Sequence, residues 1–148
     1  MVNSTQIPRA LCRDDDMSTV AVDRAAHLNG IAPQFLVDDL DRAMAYYRDN
    51  LGFEVDFVYE SFYASVTRDG FAIHLKCAPQ AAGYREFRRQ NEHLDAYVSV
   101  SGVRELFSEL QSRGANVIRP LAEQPWACVD FYVEDPDGNV VCFSEPKG

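Results

Sequence analysis

One histidine in the middle of an apolar run is the residue of this chain whose type and setting most suggest chemistry. His74 lies between Ile73 and Leu75. An imidazole can change its protonation near neutral pH, and burying it without a partner would cost free energy. We therefore expect a polar group, water or a ligand beside His74. The setting favours a histidine that lines a pocket over a catalytic base or a metal ligand.

Further polar and aromatic side chains are predicted to share a face with His74. This follows from assigning alternate residues of each predicted strand to opposite faces of the sheet. Successive strand side chains point to opposite sides of a sheet, and here one set is almost wholly apolar. A solvated face would explain the mixed set, but a wet concave pocket has the same composition. The residues predicted to line a ligand site on this face are Gln34, His74, Asp95, Tyr97, Asp130 and Tyr132.

The only tryptophan, Trp126, follows Pro125 in a predicted loop. It either covers a hydrophobic edge of the fold or offers a flat wall to a planar guest, where ring stacking contributes roughly 1 kcal/mol. We include Trp126 in the predicted ligand site.

The elements that must position these residues form a repeated unit. A strand over Ile31–Val37 precedes a helix that Asp38 or Asp39 can cap, and Gly52 ends that helix. A second strand over Leu94–Val100 precedes a helix that we expect Ser101 to cap, and Gly114 ends it. Val37 and Val100 are 63 residues apart, and Gly52 and Gly114 are 62 apart. A strand–helix–glycine unit therefore occurs twice.

Each helix is followed by further strands joined by turn sequences. The turns are Arg68-Asp69-Gly70 in the first half and Asp135-Pro136-Asp137-Gly138 in the second. The strands predicted after the helices are Phe53–Tyr59, Phe62–Thr67, Phe71–Cys77, Asn116–Arg119, Val129–Glu134 and Asn139–Phe143.

The repeat defines the domain organisation. We predict an N-terminal arm over residues 1–28 and one domain over residues 29–148, with modules at about 31–78 and 94–145. The polar residues 78–93 between the modules contain Arg85, Arg88 and Arg89. They form either a solvated linker or a basic lip over the site.

Composition excludes several classes of function. The 148 residues have a formal net charge of -9, which argues against nucleic acid and against an anionic membrane as partners. No segment reaches the ~18 apolar residues of a membrane span. Cys12, Cys77, Cys128 and Cys142 form no CxxC pair, so we expect reduced thiols in a cytoplasmic protein.

Two motifs resemble those of a known family. Residues Phe35–Phe53 resemble the opening motif of the glyoxalase/bleomycin-resistance/dioxygenase superfamily, also called vicinal oxygen chelate, and Val133–Asn139 resembles its closing hairpin. The resemblance covers about residues 31–145. It implies an α+β fold in which two βαβββ modules form a concave mixed sheet with the helices on the outer face. Members are usually homodimers.

The resemblance also implies four metal-ligand positions, one on each of four strands. They are occupied here by Ala32, His74, Asp95 and Cys142. Alanine cannot bind a metal, so His74, Asp95 and Cys142 are only weak candidate ligands. Dioxygenases of the family need two histidines and a carboxylate, and glyoxalase-type enzymes need four ligands. We therefore predict no metal cofactor.

Within the family, the chain is most similar to the bleomycin-resistance proteins. The similarity lies in Ile73-His74-Leu75, in Pro125-Trp126 and in the strand Asp130–Val133. Those proteins bind a cationic antibiotic without metal, in grooves at a dimer interface. We predict a homodimer that sequesters a small aromatic or cationic molecule, as in antibiotic resistance, and that is not an enzyme.

Two alternatives remain open. The chain is an enzyme of the same fold, either a metal-dependent lyase, isomerase or dioxygenase or a metal-free enzyme with His74 as general base. Otherwise it is a regulatory protein that uses its dimer surface.

Overall fold

A computed structural model of the protein describes residues 25–148. Contacts divide the chain into two units, residues 1–31 and 32–148. Most of the predicted N-terminal arm, residues 1–24, lies outside the described residues, and residues 25–31 contain no helix or strand.

Residues 32–148 contain eight strands and three α-helices. In chain order these are β1 (Gln34–Val37), α1 (Leu40–Asp49), β2 (Glu54–Tyr59), β3 (Tyr63–Arg68), β4 (Phe71–Cys77), α2 (Arg85–Gln90), β5 (Ala96–Ser99), α3 (Val103–Ser112), β6 (Val117–Gln124), β7 (Cys128–Glu134) and β8 (Val140–Pro146). A short 3₁₀ turn, Ala81–Tyr84, leads into α2.

The strands form two four-stranded sheets with the same topology. The first has the order β1-β4-β3-β2 and the second the order β5-β8-β7-β6. In the first sheet β1 runs parallel to β4, and in the second sheet β5 runs parallel to β8. All other neighbouring strands are antiparallel. The predicted fold class, α+β with two βαβββ modules, is confirmed, and each module forms a mixed sheet of its own.

Local signals explain where α1 begins and ends. The Asp39 side chain accepts a hydrogen bond from the Arg42 amide at 2.9 Å, as an N-cap does. Leu40, Ala43 and Tyr47 form the buried face of the helix. The chain then turns through Gly52, whose φ of 71° favours glycine.

The cap predicted for α3 is wrong. The N-cap is Gly102, with φ of 83°, rather than Ser101. The Glu145 carboxylate of β8 accepts hydrogen bonds from the Gly102 and Val103 amides, the latter at 2.9 Å. A residue 42 positions further along the chain thus satisfies the orphan N–H groups of the helix. Local sequence could not reveal this long-range partner.

A single hydrophobic core lies between the helices and the sheets. Helix α1 contacts β2, β3 and β4, whereas α3 contacts β6, β7 and β8. The strands contribute the apolar set predicted from alternation, including Phe35, Val66, Leu75, Phe131 and Phe143. One face of each sheet is therefore covered by a helix, α1 or α3, and the opposite face is not covered by either of them.

The β7–β8 turn joins the two modules. The Asp137 carboxylate, which is fully buried, accepts hydrogen bonds from the Asp38 amide at 2.8 Å and from Arg42 at 2.9 Å. Asn139 donates to the Leu36 carbonyl at 3.0 Å. The Tyr47 hydroxyl donates to Asp135 at 2.9 Å. The second module thus holds the first through its own turn.

Residues 78–93 form a folded connection that contains α2, and most of their side chains are exposed to solvent. Arg89 of α2 makes two hydrogen bonds to the buried Glu134 carboxylate, at 2.8 and 3.1 Å. Arg88 donates to the Asn139 side chain at 3.2 Å. Helix α2 buries none of its own residues, so polar contacts hold it against the β7–β8 turn.

Within residues 25–148 no helix is long and apolar enough to cross a membrane. Cys77, Cys128 and Cys142 are free thiols in this part of the chain. Cys12 lies outside the described residues.

Candidate ligand-binding site

The helix-free side of the first sheet carries a cluster of rings and amides, which we call the first open face: Gln34, Phe57, Tyr63 and His74. Four neighbouring strands supply one residue each, because β1, β4, β3 and β2 lie side by side. Gln34 and His74 are direct partners in the register of β1 and β4. Gln34 is exposed, whereas Tyr63 and His74 are half-buried.

Hydrogen bonds join three members of the first open face. The Gln34 side-chain amide donates to the Tyr63 hydroxyl at 3.1 Å. The Tyr63 hydroxyl lies 2.7 Å from His74 Nδ1. His74 Nε2 has no hydrogen-bond partner among residues 25–148, and this atom is not fully buried. Within this part of the chain the nitrogen therefore remains available to a ligand.

Ring packing fixes the position of the imidazole. The Phe57 and Tyr63 rings are stacked, with centroids 6.2 Å apart and planes at 13°. Both rings stand edge-on to His74, at 6.0 Å for Phe57 and 5.5 Å for Tyr63. Because edge-to-face contacts of this kind are favourable, the cluster presents a pre-formed aromatic surface with one polar atom.

The side of the second sheet that faces away from α3, which we call the second open face, has a different character because most of its residues are buried. Its residues include Tyr97, Asp130, Tyr132, Cys142 and Ser144. Asp130, Cys142 and Ser144 are buried, Tyr132 is half-buried, and only Tyr97 is exposed. Asp130 accepts a hydrogen bond from Gln124 at 2.9 Å. Arg119 lies over the Tyr132 ring at 5.1 Å.

Burial also governs the electrostatics of the second open face. Burial, reinforced by the negative charge of Asp130, raises the pKa of the Cys142 thiol to about 12. Burial likewise raises the pKa of Tyr132. Both groups therefore stay protonated at neutral pH.

Asp95 is part of the scaffold of the second module. Its carboxylate accepts a hydrogen bond from the Val140 amide at 2.8 Å, and its own amide donates to the Val140 carbonyl at 2.9 Å. His93 and Arg88 lie 3.5 and 4.0 Å from the same carboxylate. The side chain predicted as a ligand contact thus has three protein neighbours, Val140, His93 and Arg88.

A small cleft lies between the α2 region and the second sheet. It has a volume of about 80 Å³, and its lining includes Arg88, Arg89, His93, Arg119 and Tyr132. This volume is below the roughly 300 Å³ at which pockets for drug-sized ligands begin. The arginines are also engaged: Arg89 binds Glu134 and Arg119 binds Glu92. The predicted basic lip therefore exists only as the wall of a narrow cleft.

The predicted site residues fall into separate groups. Gln34 and His74 meet on the first open face, whereas Tyr97, Asp130 and Tyr132 share the second. No hydrogen bond or ring contact within residues 25–148 joins the two faces. Trp126 is exposed in the turn between β6 and β7. These contacts therefore do not bring all the predicted residues together around one hollow.

Sequence reasoning missed Phe57 and Tyr63. Tyr63 was within reach, because alternation places it opposite the buried Ala64 and Val66. Phe57 was not, because strict alternation puts it on the same face as the buried Phe53. A register shift between Val55 and Phe57 adds one residue to β2 and turns Phe57 to the open face.

The residues at the family's four metal positions do not fit a resident metal ion within this chain. Ala32 has no donor atom, Cys142 is a thiol with a raised pKa, and the Asp95 carboxylate is bonded to Val140. No group of three or more His, Cys, Asp or Glu side chains in residues 25–148 is arranged to hold a metal.

Comparisons with known proteins agree with the topology. A family model described as Glyoxalase/Bleomycin resistance protein/Dioxygenase superfamily matches residues 24–143. No curated protein matches the sequence.

Solved structures show the same fold at low identity. One is the bleomycin-binding protein from bleomycin-producing Streptomyces verticillus complexed with copper(II)-bleomycin, with TM-score 0.65, 23% identity, and 83% of this chain and 98% of that chain covered. Another is a glyoxalase-related enzyme from Clostridium phytofermentans, with TM-score 0.66, 17% identity, and 84% and 99% covered. A binding protein and an enzyme thus resemble this chain equally well in fold.

Proposed function

Because the chain belongs to the glyoxalase/bleomycin resistance/dioxygenase superfamily, we propose that it binds and sequesters a small aromatic molecule on its first open face without a metal cofactor. The observation that carries the proposal is the cluster of Phe57, Tyr63 and His74, which offers a partly exposed aromatic surface and a ring nitrogen without a hydrogen-bond partner among residues 25–148. Ligand sites commonly combine apolar walls with a few placed polar groups.

The charge of the chain supports a guest that is also cationic. The formal net charge of -9 favours the approach of cations over anions. A bleomycin-binding protein is among the chains of similar fold. Bleomycin is therefore the first probe to use, and protection against such an antibiotic is the role we propose.

We further propose that the protein acts as a homodimer in the cytoplasm. The first open face exposes Gln34 and Phe57, so this surface is available for a second copy to cover. The free thiols Cys77, Cys128 and Cys142 suit a reducing compartment. Light scattering on the full chain tests the dimer, and a monomer at micromolar concentration would contradict it.

Titration calorimetry with bleomycin, with and without copper(II), tests the binding function. We expect saturable binding by the full chain, reduced about tenfold or more by His74→Ala and by Phe57→Ala, because about 1.4 kcal/mol of contact corresponds to tenfold in affinity. The matched control is Phe71→Ala, since Phe71 is an exposed ring on the helix side of the same sheet.

Three outcomes would overturn the proposal. The first is the absence of a response to bleomycin and related glycopeptides. The second is an equal loss of affinity in Phe71→Ala. The third is stoichiometric zinc, iron, nickel or manganese in the purified protein together with turnover of a substrate, which would favour the enzyme alternative.

A further inference from the structure

The hydrogen bonds of the first open face run in one direction. The Gln34 amide nitrogen donates to the Tyr63 oxygen at 3.1 Å. A phenol oxygen has one proton to give, and His74 Nδ1 lies 2.7 Å from it. The arrangement that uses every donor has Gln34 donating to Tyr63 and Tyr63 donating to His74 Nδ1.

This direction decides which nitrogen of His74 carries the proton. In a neutral imidazole one nitrogen is a donor and the other an acceptor. If Nδ1 accepts from Tyr63, the proton must be on Nε2. The opposite tautomer would direct both the Gln34 amide and the Nδ1 proton at one phenol oxygen, leaving the phenol proton without this partner.

The surroundings leave the Nε2 proton to a ligand. Nε2 has no partner within residues 25–148, and the edge-on rings of Phe57 and Tyr63 fix the imidazole plane. A planar guest that packs against these rings meets a hydrogen-bond donor rather than an acceptor. The side chain therefore selects guests by the chemistry of their polar edge.

We propose that Tyr63 and Gln34 are positioning residues that hold His74 as a neutral Nε2–H donor, so that the site takes an aromatic ligand with a hydrogen-bond acceptor such as a carbonyl oxygen or a ring nitrogen. This inference rests on the proposed function for its ligand, but the proton arrangement itself stands on Gln34, Tyr63 and His74 alone.

Nitrogen-15 NMR of the labelled full chain tests the proton arrangement without any ligand. At pH about 8.5 we expect His74 Nε2 to show the nitrogen-15 shift of a protonated nitrogen, because Nδ1 accepts from Tyr63. The Nδ1 shift should be that of an unprotonated acceptor. His74→Gln assigns the signals, and His93 serves as the internal control.

Two variants make the direction falsifiable. Tyr63→Phe removes the donor, so His74 should become a mixture of tautomers while His93 is unchanged. Gln34→Glu replaces the amide donor with an acceptor, so Tyr63 should donate to Glu and His74 should shift toward the Nδ1–H form. A wild-type Nδ1–H tautomer, or the same spectrum in all three proteins, would overturn the proposal.

The ligand class is tested with two small probes. Benzamide has an aromatic ring and a carbonyl acceptor, whereas toluene has the ring alone. At millimolar concentration benzamide should shift the His74 Nε2 signal at least threefold more than toluene, and the difference should disappear in Gln34→Glu. Equal shifts would overturn the ligand class. Failure of bleomycin to bind would instead contradict the proposed function, because the NMR result does not depend on it.

Discussion

The two modules share one topology but place their polar groups differently. In the first module the polar side chains Gln34, Tyr63 and His74 lie on an open face, and the β3–β4 turn at Asp69 is exposed. In the second module the turn residues Asp137 and Asn139 are buried. The difference indicates that the second module secures the fold, whereas the first leaves polar groups accessible, as the ligand site that we propose requires.

Equivalent positions of the repeat sharpen this contrast. His74 pairs with Gln34 in the first sheet, and Cys142 pairs with Tyr97 in the second. At the first position a ring nitrogen is accessible. At the second position burial encloses a thiol and raises its pKa to about 12. Equivalent positions in the two modules thus have opposite environments, accessible at His74 and buried at Cys142.

The largest expected effect comes from the buried turn. Asp137→Ala removes the acceptor of the Asp38 amide and of Arg42. We expect a loss of about 3 kcal/mol in the free energy of unfolding, because these donors lose a charged partner. Urea denaturation followed by circular dichroism measures the loss.

The matching variant in the first module is Asp69→Asn. The Asp69 side chain is 87% exposed, and asparagine tolerates its positive φ of 52°. We expect a change within about 0.5 kcal/mol, as for most surface positions. Equal losses in the two variants would contradict the assignment of a structural role to the second turn.

A smaller effect is expected where the repeat has alanine in one module and aspartate in the other. Ala32 and Asp95 are separated by the same 63 residues as Val37 and Val100. Asp95→Ala removes the acceptor of the Val140 amide, and we expect a loss of about 2 kcal/mol in unfolding free energy.

Gln34→Ala is the control for Asp95→Ala. The Gln34 side chain is exposed and hydrogen-bonded only to Tyr63 among residues 25–148, so its removal should change the unfolding free energy by less than about 0.5 kcal/mol. Bleomycin titration of both variants separates stability from binding. A stable Asp95→Ala protein that no longer binds would restore Asp95 to the ligand site.

Much of the fold could be predicted from sequence because its signals are local. The pair Asp38-Asp39 and the glycine at Gly52 predict the two ends of α1 to within a few residues. The signals that failed depend on distant partners. Glu145 caps α3 from another strand, and the arginines of α2 find their acceptors on the β7–β8 turn.

The site was predicted only in part for the same reason. Alternation correctly places Gln34 and His74 on one face, because a strand has a period of two residues. It cannot show that Asp95 is bonded to Val140. It also fails at a bulge, which is why Phe57 appears on the unexpected side of β2.

The smallest perturbation that distinguishes the modules is alkylation of their thiols. Iodoacetamide reacts with the thiolate, so a thiol that stays protonated and enclosed reacts slowly. Cys142 is buried and its pKa is raised to about 12, whereas Cys77 of the first module is only half-buried. At pH about 8.5, peptide mapping should find Cys77 labelled at least tenfold faster than Cys142, because Cys77 is the more exposed thiol. In urea the two rates should converge, because unfolding removes the burial that separates them.

If Cys142 reacts as fast as Cys77 in the folded protein, its strand is open to solvent. The second module would then present an accessible group at the position equivalent to His74, and the contrast between the two faces would not hold.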